Sequence, residues 1–221
     1  MSLEYEIIRS NRQTLVIQIT RSGQIIVRCN YNTKTSDIKN FICEKEKWIF
    51  RHLSQLNNNK INIGIGCSVL FLGKRYRIVA GDNEGIIFDD TAFYVKEQTR
   101  EEELRELLKG FYKERAKKVI TDRVHTYEQI MKLHAEKIGI TSASTRWGSC
   151  SGHARLNFSW RVVLGNLEIV DYVVVHELAH IKEKNHSCRF WSIVERYMPD
   201  YKKVRSELKQ LGLTLYDEGW G

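Results

Sequence analysis

Apolar residues recur along this chain at two periods, and the switches between them mark out its elements. From about residue 4 to residue 30 the period is two. Leu15, Ile17 and Ile19 share one face and Val16, Gln18 and Thr20 the other, and Ser22-Gly23 supplies a turn before residues 25–29. That pattern predicts a strand meander. Ile38, Phe41, Ile42, Trp48, Ile49, Leu53 and Leu56 then follow the three-and-four spacing of an amphipathic helix, with Ser36 as its N-cap and Asn57-Asn58-Asn59 as its end. Between Val69 and Val95 the period returns to two, and Gly73-Lys74, residues 81–85 and Asp89-Asp90 separate short hairpin strands.

The second half reads as helical. Leu104, Leu107, Leu108, Phe111, Ala116, Val119, Ile120, Tyr127, Ile130 and Met131 trace one broad stripe between Thr99 and Gly139, which is one long helix or two abutting ones. A strand pair is expected near 140–145 and 155–159, joined by turn residues 149–152, and three helices near 166–184, 188–198 and 200–211 fill the remainder. The expected fold class is α+β, with a β-rich N-terminal region carrying one amphipathic helix over 1–98 and a helical region over 99–221. The single proline is Pro199, and the chain has no Pro/Gly/Ser-rich linker, so this boundary rests on periodicity alone.

The candidate chemistry lies in His176-Glu177-Leu178-Ala179-His180. Imidazoles at i and i+4 stand one turn apart on one helix face and can share a zinc ion, with the glutamate beside the first in reach of its water. Val173, Val174, Val175, Leu178 and Ala179 make the helix one to be buried. A third imidazole, His186, comes six residues after the second, so the helix must end and the chain turn back. Asn185 suits a left-handed position at that helix end, and Ser187 can cap a following helix whose apolar face holds Phe190, Trp191 and Val194. Three imidazoles and a free fourth position make the open geometry of a catalytic zinc, so one Zn2+ per chain is expected, although imidazole also accepts nickel, cobalt, iron or copper. The plainer alternative is a set of surface or core histidines. Against it, three of the seven histidines fall within eleven residues, with the glutamate in the required place. In such a site Glu177 is the general base that takes a proton from water and passes it to the leaving nitrogen. Arg146, Arg161, Tyr172 and Tyr201 are the candidate oxyanion donors.

Composition narrows the setting. With 35 Lys and Arg against 27 Asp and Glu the formal charge is +8, which fits a nucleic-acid partner or an acidic substrate. Acidic residues interleave with the basic ones, as at Glu101/Arg105 and Glu114/Lys118, so solvated helix faces account for much of it. Five cysteines, odd in number and never in a C-x-x-C pair, read as small buried thiols, with Cys150 and Cys188 flanking the histidine motif. No stretch approaches the roughly 20 apolar residues that span a bilayer, and Met-Ser-Leu-Glu-Tyr-Glu lacks the start of a secretory signal. A cytoplasmic protein with no membrane partner is expected.

Beyond the histidines, the chain resembles the YgjP-like metallopeptidases, relatives of the SprT-like zinc proteases. Arg146-Trp147-Gly148-Ser149-Cys150-Ser151 is similar to that family's R-W-G-S-C-S signature, and Leu156-Asn157-Phe158 to the strand after it. The run from Asp171 to His180 resembles the lead into its zinc helix, and Asn185-His186-Ser187 with Phe190-Trp191 resembles its N-H-S-x-x-F-W segment. Phe71-Leu72-Gly73-Lys74-Arg75-Tyr76 agrees more loosely, and Cys29-Asn30 departs from a small residue followed by proline. The resemblance implies a zincin-like helical catalytic core, with His176, His180 and His186 as ligands and Glu177 as acid/base. It also implies that Arg146, Trp147 and Ser149 lie beside the substrate cleft. Taken alone, that segment reads equally well as a turn allowed by Gly148 with Trp147 in the core.

Three functions fit these features. A peptidase would take a peptide or protein substrate, aligned on an edge strand near residues 155–159. A zinc-site hydrolase of a non-peptide substrate such as a nucleotide is allowed by the basic charge, but the chain has no G-x-x-x-x-G-K-[ST] loop and no carboxylate cluster for two metals. A nucleic-acid-associated protease would use the five tryptophans and the excess charge, yet those tryptophans sit mostly at apolar positions suited to core packing. The histidine motif favours the peptidase.

Overall fold

The computed structural model describes residues 3–20, 23–58 and 63–220. The chain groups into two compact units, residues 1–61 and 62–221, so the change of period near residue 98 falls inside the second.

In the first unit, strands β1 (Tyr5–Ser10), β2 (Val16–Ile19) and β3 (Ile25–Asn30) form a sheet in the order β1-β3-β2. The expected meander is corrected here: β3 is central, parallel to β1 and antiparallel to β2. Its near-continuous burial, at Ile25, Ile26, Val27 and Cys29, suits the middle of a sheet, whereas β1 and β2 are only partly covered. Helix α1 (Thr35–Asn58) lays Ile38, Ile42 and Ile49 on Ile25, Val27 and Cys29. Ser36 is not its N-cap. The helix begins at Thr35, the Lys34 carbonyl accepts from the Ile38 amide at 3.2 Å, and Ser36 lies in the first turn. Trp48, expected on the apolar face, is 40% exposed and stacks against His52. The turn residue Ser22, the helix-ending Asn59 and the side chain of Leu56 lie outside the described residues.

The second unit starts with strands β4 (Ser68–Phe71), β5 (Lys74–Gly81), β6 (Ile86–Phe88) and β7 (Ala92–Lys96) in the order β4-β5-β7-β6. β4 and β5 make a hairpin, and so do β6 and β7 about Asp89-Asp90, but β7 and not β6 lies beside β5, parallel to it. The first hairpin turns through Leu72 and Gly73, whose φ values of 47° and 77° are the pair of left-handed conformations a two-residue turn needs. Their amides donate to the carbonyls of Val163 and Leu164, in a short 3-10 helix over Trp160–Leu164. Gly73 thereby lies against Asn166, where an added Cβ would come within 2.7 Å of the Asn166 Cβ and 2.9 Å of its Cα.

Helix α2 (Glu101–Met131) is one helix. Leu104, Leu108, Tyr112, Ala116, Ile120, Val124 and Glu128 are buried at strict four-residue spacing, a row that winds slowly about the axis. The buried Glu128 carboxylate accepts from the Ala135 amide at 2.7 Å and meets His125 Nδ1 at 2.8 Å. Beyond it, β8 (Lys137–Thr141), β9 (Gly148–Cys150) and β10 (Arg155–Ser159) form a sheet in the order β8-β10-β9. Gly148–Cys150 is a strand, contrary to the expected turn; the chain reverses after it, where Ala154 has φ 50° and its amide bonds to the Ser151 carbonyl.

Helices α3 (Leu167–Lys182), α4 (Cys188–Tyr197) and α5 (Tyr201–Asp217) complete the α+β architecture where the sequence placed them, with α5 running past residue 211. Asn166 caps α3 by accepting the Ile169 amide at 2.9 Å. Asp171 on α3 pairs with both nitrogens of the Arg123 fork on α2, one at 2.8 Å. Among the described residues no helix is long and apolar enough to cross a membrane. Gly73→Ala is expected to cost about 3 kcal/mol, through left-handed strain and the clash with the cap of α3. Urea unfolding reads this directly, and a loss under about 0.5 kcal/mol would show that the turn does not brace α3.

Candidate metal centre

From Ile169 to Ala179 every residue of α3 is buried except Asp171 and His176. The packing leaves one line of the helix facing a cleft, and along it stand His176 and His180 with Glu177 beside them. Helix α3 ends at Lys182, with the Glu183 amide bonded to the Ala179 carbonyl and Glu183 itself extended. Asn185 does not take the left-handed conformation expected of it. Its side-chain oxygen accepts the Ser187 amide at 3.1 Å, an Asx turn that reverses the chain without positive φ, and Ser187 then caps α4 through the Phe190 amide. This turn carries His186 back over the helix. His186 Nε2 lies 3.0 Å from His176 Nε2, and one ring nitrogen from each of His176, His180 and His186 falls within 4.8 Å of the others.

The donor set fits a metal ion. Two nitrogens on one tetrahedral zinc stand roughly 3.3 Å apart, close to the 3.0 Å seen between His176 and His186. His180 Nδ1 lies 2.9 Å from the Glu183 carbonyl, to which it donates, so its Nε2 lone pair is free toward the other rings. Burial, with His180, His186 and Arg205 adding to it, pushes the His176 pKa down to about 3, which keeps that imidazole neutral and able to ligate. Burial lowers His180 as well, against the opposing hydrogen bond to Glu183. Among the described residues no fourth His, Cys, Asp or Glu joins the cluster, which leaves it open on one side.

Glu177 is 5% exposed and its Oε2 has no hydrogen-bond partner. Desolvation drives its pKa up to about 7, with the charge of Arg146 acting the other way. It lies directly on Gly148 of β9: a Cβ there would stand 2.6 Å from Glu177 Oε1 and 2.7 Å from its Cγ. Gly148 is therefore required for clearance and not for a turn.

A cleft of about 290 Å³ opens in front of His176 and Glu177, lined also by Arg146, Trp147, Gly148, Tyr172 and Arg205. Of the sequence-predicted residues, the structure brings Arg146, Trp147 and Tyr172 to this cleft. Ser149, on the alternate face of β9 from Gly148, does not line it. Arg161 is engaged elsewhere, bonding the carbonyls of Trp220, Ser142 and Ala143, and Tyr201 is buried in a stack on Trp191. Cys150 is near the site, its thiol 4.0 Å from Lys184 Nζ and raised in pKa by burial, whereas Cys188 is exposed at the start of α4. Sequence reasoning missed Arg205, which looked like one more cation on a solvated helix face, and the Glu183 carbonyl, which no side-chain pattern encodes. The edge-strand expectation also shifts: β10 is central, and the free edge beside Glu177 belongs to β9.

In the metal-free protein the sign of the Glu177 effect is fixed. Its folded pKa lies above its ordinary 4.5, so between about 4.5 and 7 the folded state keeps a proton that the unfolded state has released, and stability falls as pH rises through that window. Glu177→Gln removes the loss. In chelator its stability should match wild type near pH 4.5 and exceed it by about 3 kcal/mol at pH 8; a gap independent of pH in denaturant melts would contradict the buried carboxyl.

Comparison with known proteins supplies the context for this geometry. The metallopeptidase zymogen abylysin of Pyrococcus abyssi, known from a crystal structure, is 22% identical over 41% of this chain and 92% of its own, with a TM-score of 0.39. Comparison with curated proteins gives no match. The YgjP-like metallopeptidase domain matches residues 13–211, nearly the whole length, and the chain therefore belongs to the YgjP-like metallopeptidase family.

Proposed function

We propose that this metal-dependent peptidase is a single-zinc enzyme in which His176, His180 and His186 hold the ion, Glu177 is the general base, and residues 99–221 supply the catalytic region. The observation that carries the reading is the convergence of three imidazoles around one point with a buried, unpartnered carboxylate beside them. When bound, zinc supplies Lewis acidity toward a carbonyl and acidifies water.

The chain's own residues supply the rest. Glu177, with a pKa near the working range and an oxygen free of partners, can take a proton at Oε2 and return it to a leaving nitrogen. Arg146 acts electrostatically on Glu177, while Arg205 acts on His176 and Tyr172, so the cleft has a cation toward each end. Tyr172, kept protonated by burial and lining the cleft on the His176 side, is our candidate for the oxyanion donor. A substrate in extended form can pair with the open edge of β9, which starts at Gly148 and so lies against the base. Four of the five tryptophans give the nucleic-acid reading no support: Trp160 and Trp220 are buried and Trp147 and Trp191 half-buried in the core of the second unit, and Trp48 on α1 alone is exposed.

Elemental analysis of purified protein should find one zinc per chain, absent from His180→Ala. Glu177→Gln should keep the metal and lose at least about 100-fold in cleavage of a quenched-fluorescent peptide library. Gly148→Ala should also keep the metal and lose activity by displacing Glu177. Cleavage undiminished in Glu177→Gln would remove Glu177 as base, and a folded wild type that takes up no zinc would remove the metal reading.

A further inference from the structure

The cleft does not end at Arg205. A second, wider groove of about 510 Å³ continues from it, sharing Trp147, Arg205 and Leu208 and adding Lys202, Ser206 and Lys209. Lys202, Arg205 and Lys209 lie at i, i+3 and i+7 on α5, one stripe of the helix, beside the buried stripe of Tyr201, Val204, Leu208 and Leu211. Arg146 adds a fourth cation at the catalytic end.

Among the described residues none of these four cations has an ion-pair partner. On another face of the same helix Lys203 pairs with Glu207 at 3.9 Å, and on α2 Arg105 and Lys109 pair with Glu101 and Glu106. Among the described residues no carboxylate lies within ion-pair distance of Arg146, Lys202, Arg205 or Lys209, and Glu177 is the only carboxylate lining either cavity. Arg205 is also held in place, its guanidinium 4.9 Å above the Trp191 ring. A groove lined by the apolar Trp147 and Leu208 and by a row of unpaired cations suits an extended chain with carboxylate side chains.

We propose that the groove along α5 is a specificity subsite that selects peptides bearing glutamate or aspartate to one side of the bond to be cut, read by Lys202, Arg205 and Lys209. The proposal rests on the peptidase reading, and its test separates the two. Full-length Glu177→Gln protein, loaded with zinc so that substrate binds without turnover, is titrated with a fluorescein-labelled peptide carrying three glutamates and with its glutamine twin. The acidic peptide should bind about tenfold more tightly at low salt, and the ratio should shrink as salt rises. Adding Lys202→Glu and Lys209→Glu, both exposed, should bring the ratio to one or below, with the melting temperature checked for folding. A ratio within twofold in the parent, or unchanged in the charge-reversed protein, overturns the proposal. Displacement of the acidic peptide by a short single-stranded DNA at lower concentration than by unlabelled acidic peptide also overturns it, by assigning the groove to nucleic acid. Wild-type protein cleaving both twins equally, with equal binding, would leave the peptidase reading standing without the subsite; charge-selective binding with no cleavage of either would leave the subsite without the peptidase.

Discussion

Burial of α3 is the constraint from which the second unit follows. Between Ile169 and Ala179 only Asp171 and His176 escape full burial, and each has a purpose for its polarity: Asp171 meets the Arg123 fork, and His176 meets two other imidazoles. A helix enclosed this far must have its ends and its one polar line satisfied by neighbours, because each buried unpaired polar group costs about 1–3 kcal/mol. The start is met by the Asn166 cap, itself braced by the hairpin turn at Gly73. The end is met by Glu183 and the Asx turn at Asn185, which also deliver His186. What remains unpaired beside the imidazoles, Glu177 Oε2, is where chemistry is to be expected.

The spacing between α3 and the small sheet follows from one residue without a side chain. Glu177 packs onto Gly148 so closely that a methyl group would overlap its carboxylate. With the sheet this near, the carboxylate is dry, and dryness raises its pKa. The same closeness puts Glu177 beside an edge strand, β9. Had β10 been the edge, as its sequence suggested, a substrate paired to it would sit one strand farther from Glu177, roughly 4.8 Å.

Much of this was legible in residues. The i, i+4 histidines, the glutamate between them and the apolar run before them specify a buried helix with a reactive line, and Ser187 reads as a cap because its hydroxyl stands three residues before Phe190, whose amide it accepts. Elements with one strong period were placed well, as with the three C-terminal helices. What sequence pattern left out was decided by pairing across distance. The place of β3 between β1 and β2, and of β7 between β5 and β6, depends on which strand most needs cover on both edges. Gly148 was visible as a glycine, but its reason is Glu177, twenty-nine residues away. Asn185 turned the chain as expected through its side chain and not through a left-handed backbone, two routes that leave the same letter in the sequence.

The electrostatics of the cleft bring these strands of argument together. Burial moves Glu177 and Tyr172 up and His176 down, so each drifts toward its neutral form for one physical reason. The imidazole lone pairs are thereby left free, and the dry carboxyl is one whose charge any added cation would favour. Around this neutral centre the exposed cations Arg146 and Arg205 stand at the two ends without carboxylate partners. A site that is uncharged where bonds are to break and positive along its approach separates two tasks: the centre holds the reacting groups in their useful protonation states, and the rim attracts and orients a substrate by its charge. Part of the net charge of +8, which on composition alone could be spread over any surface, thus lies along the groove where a substrate chain would enter.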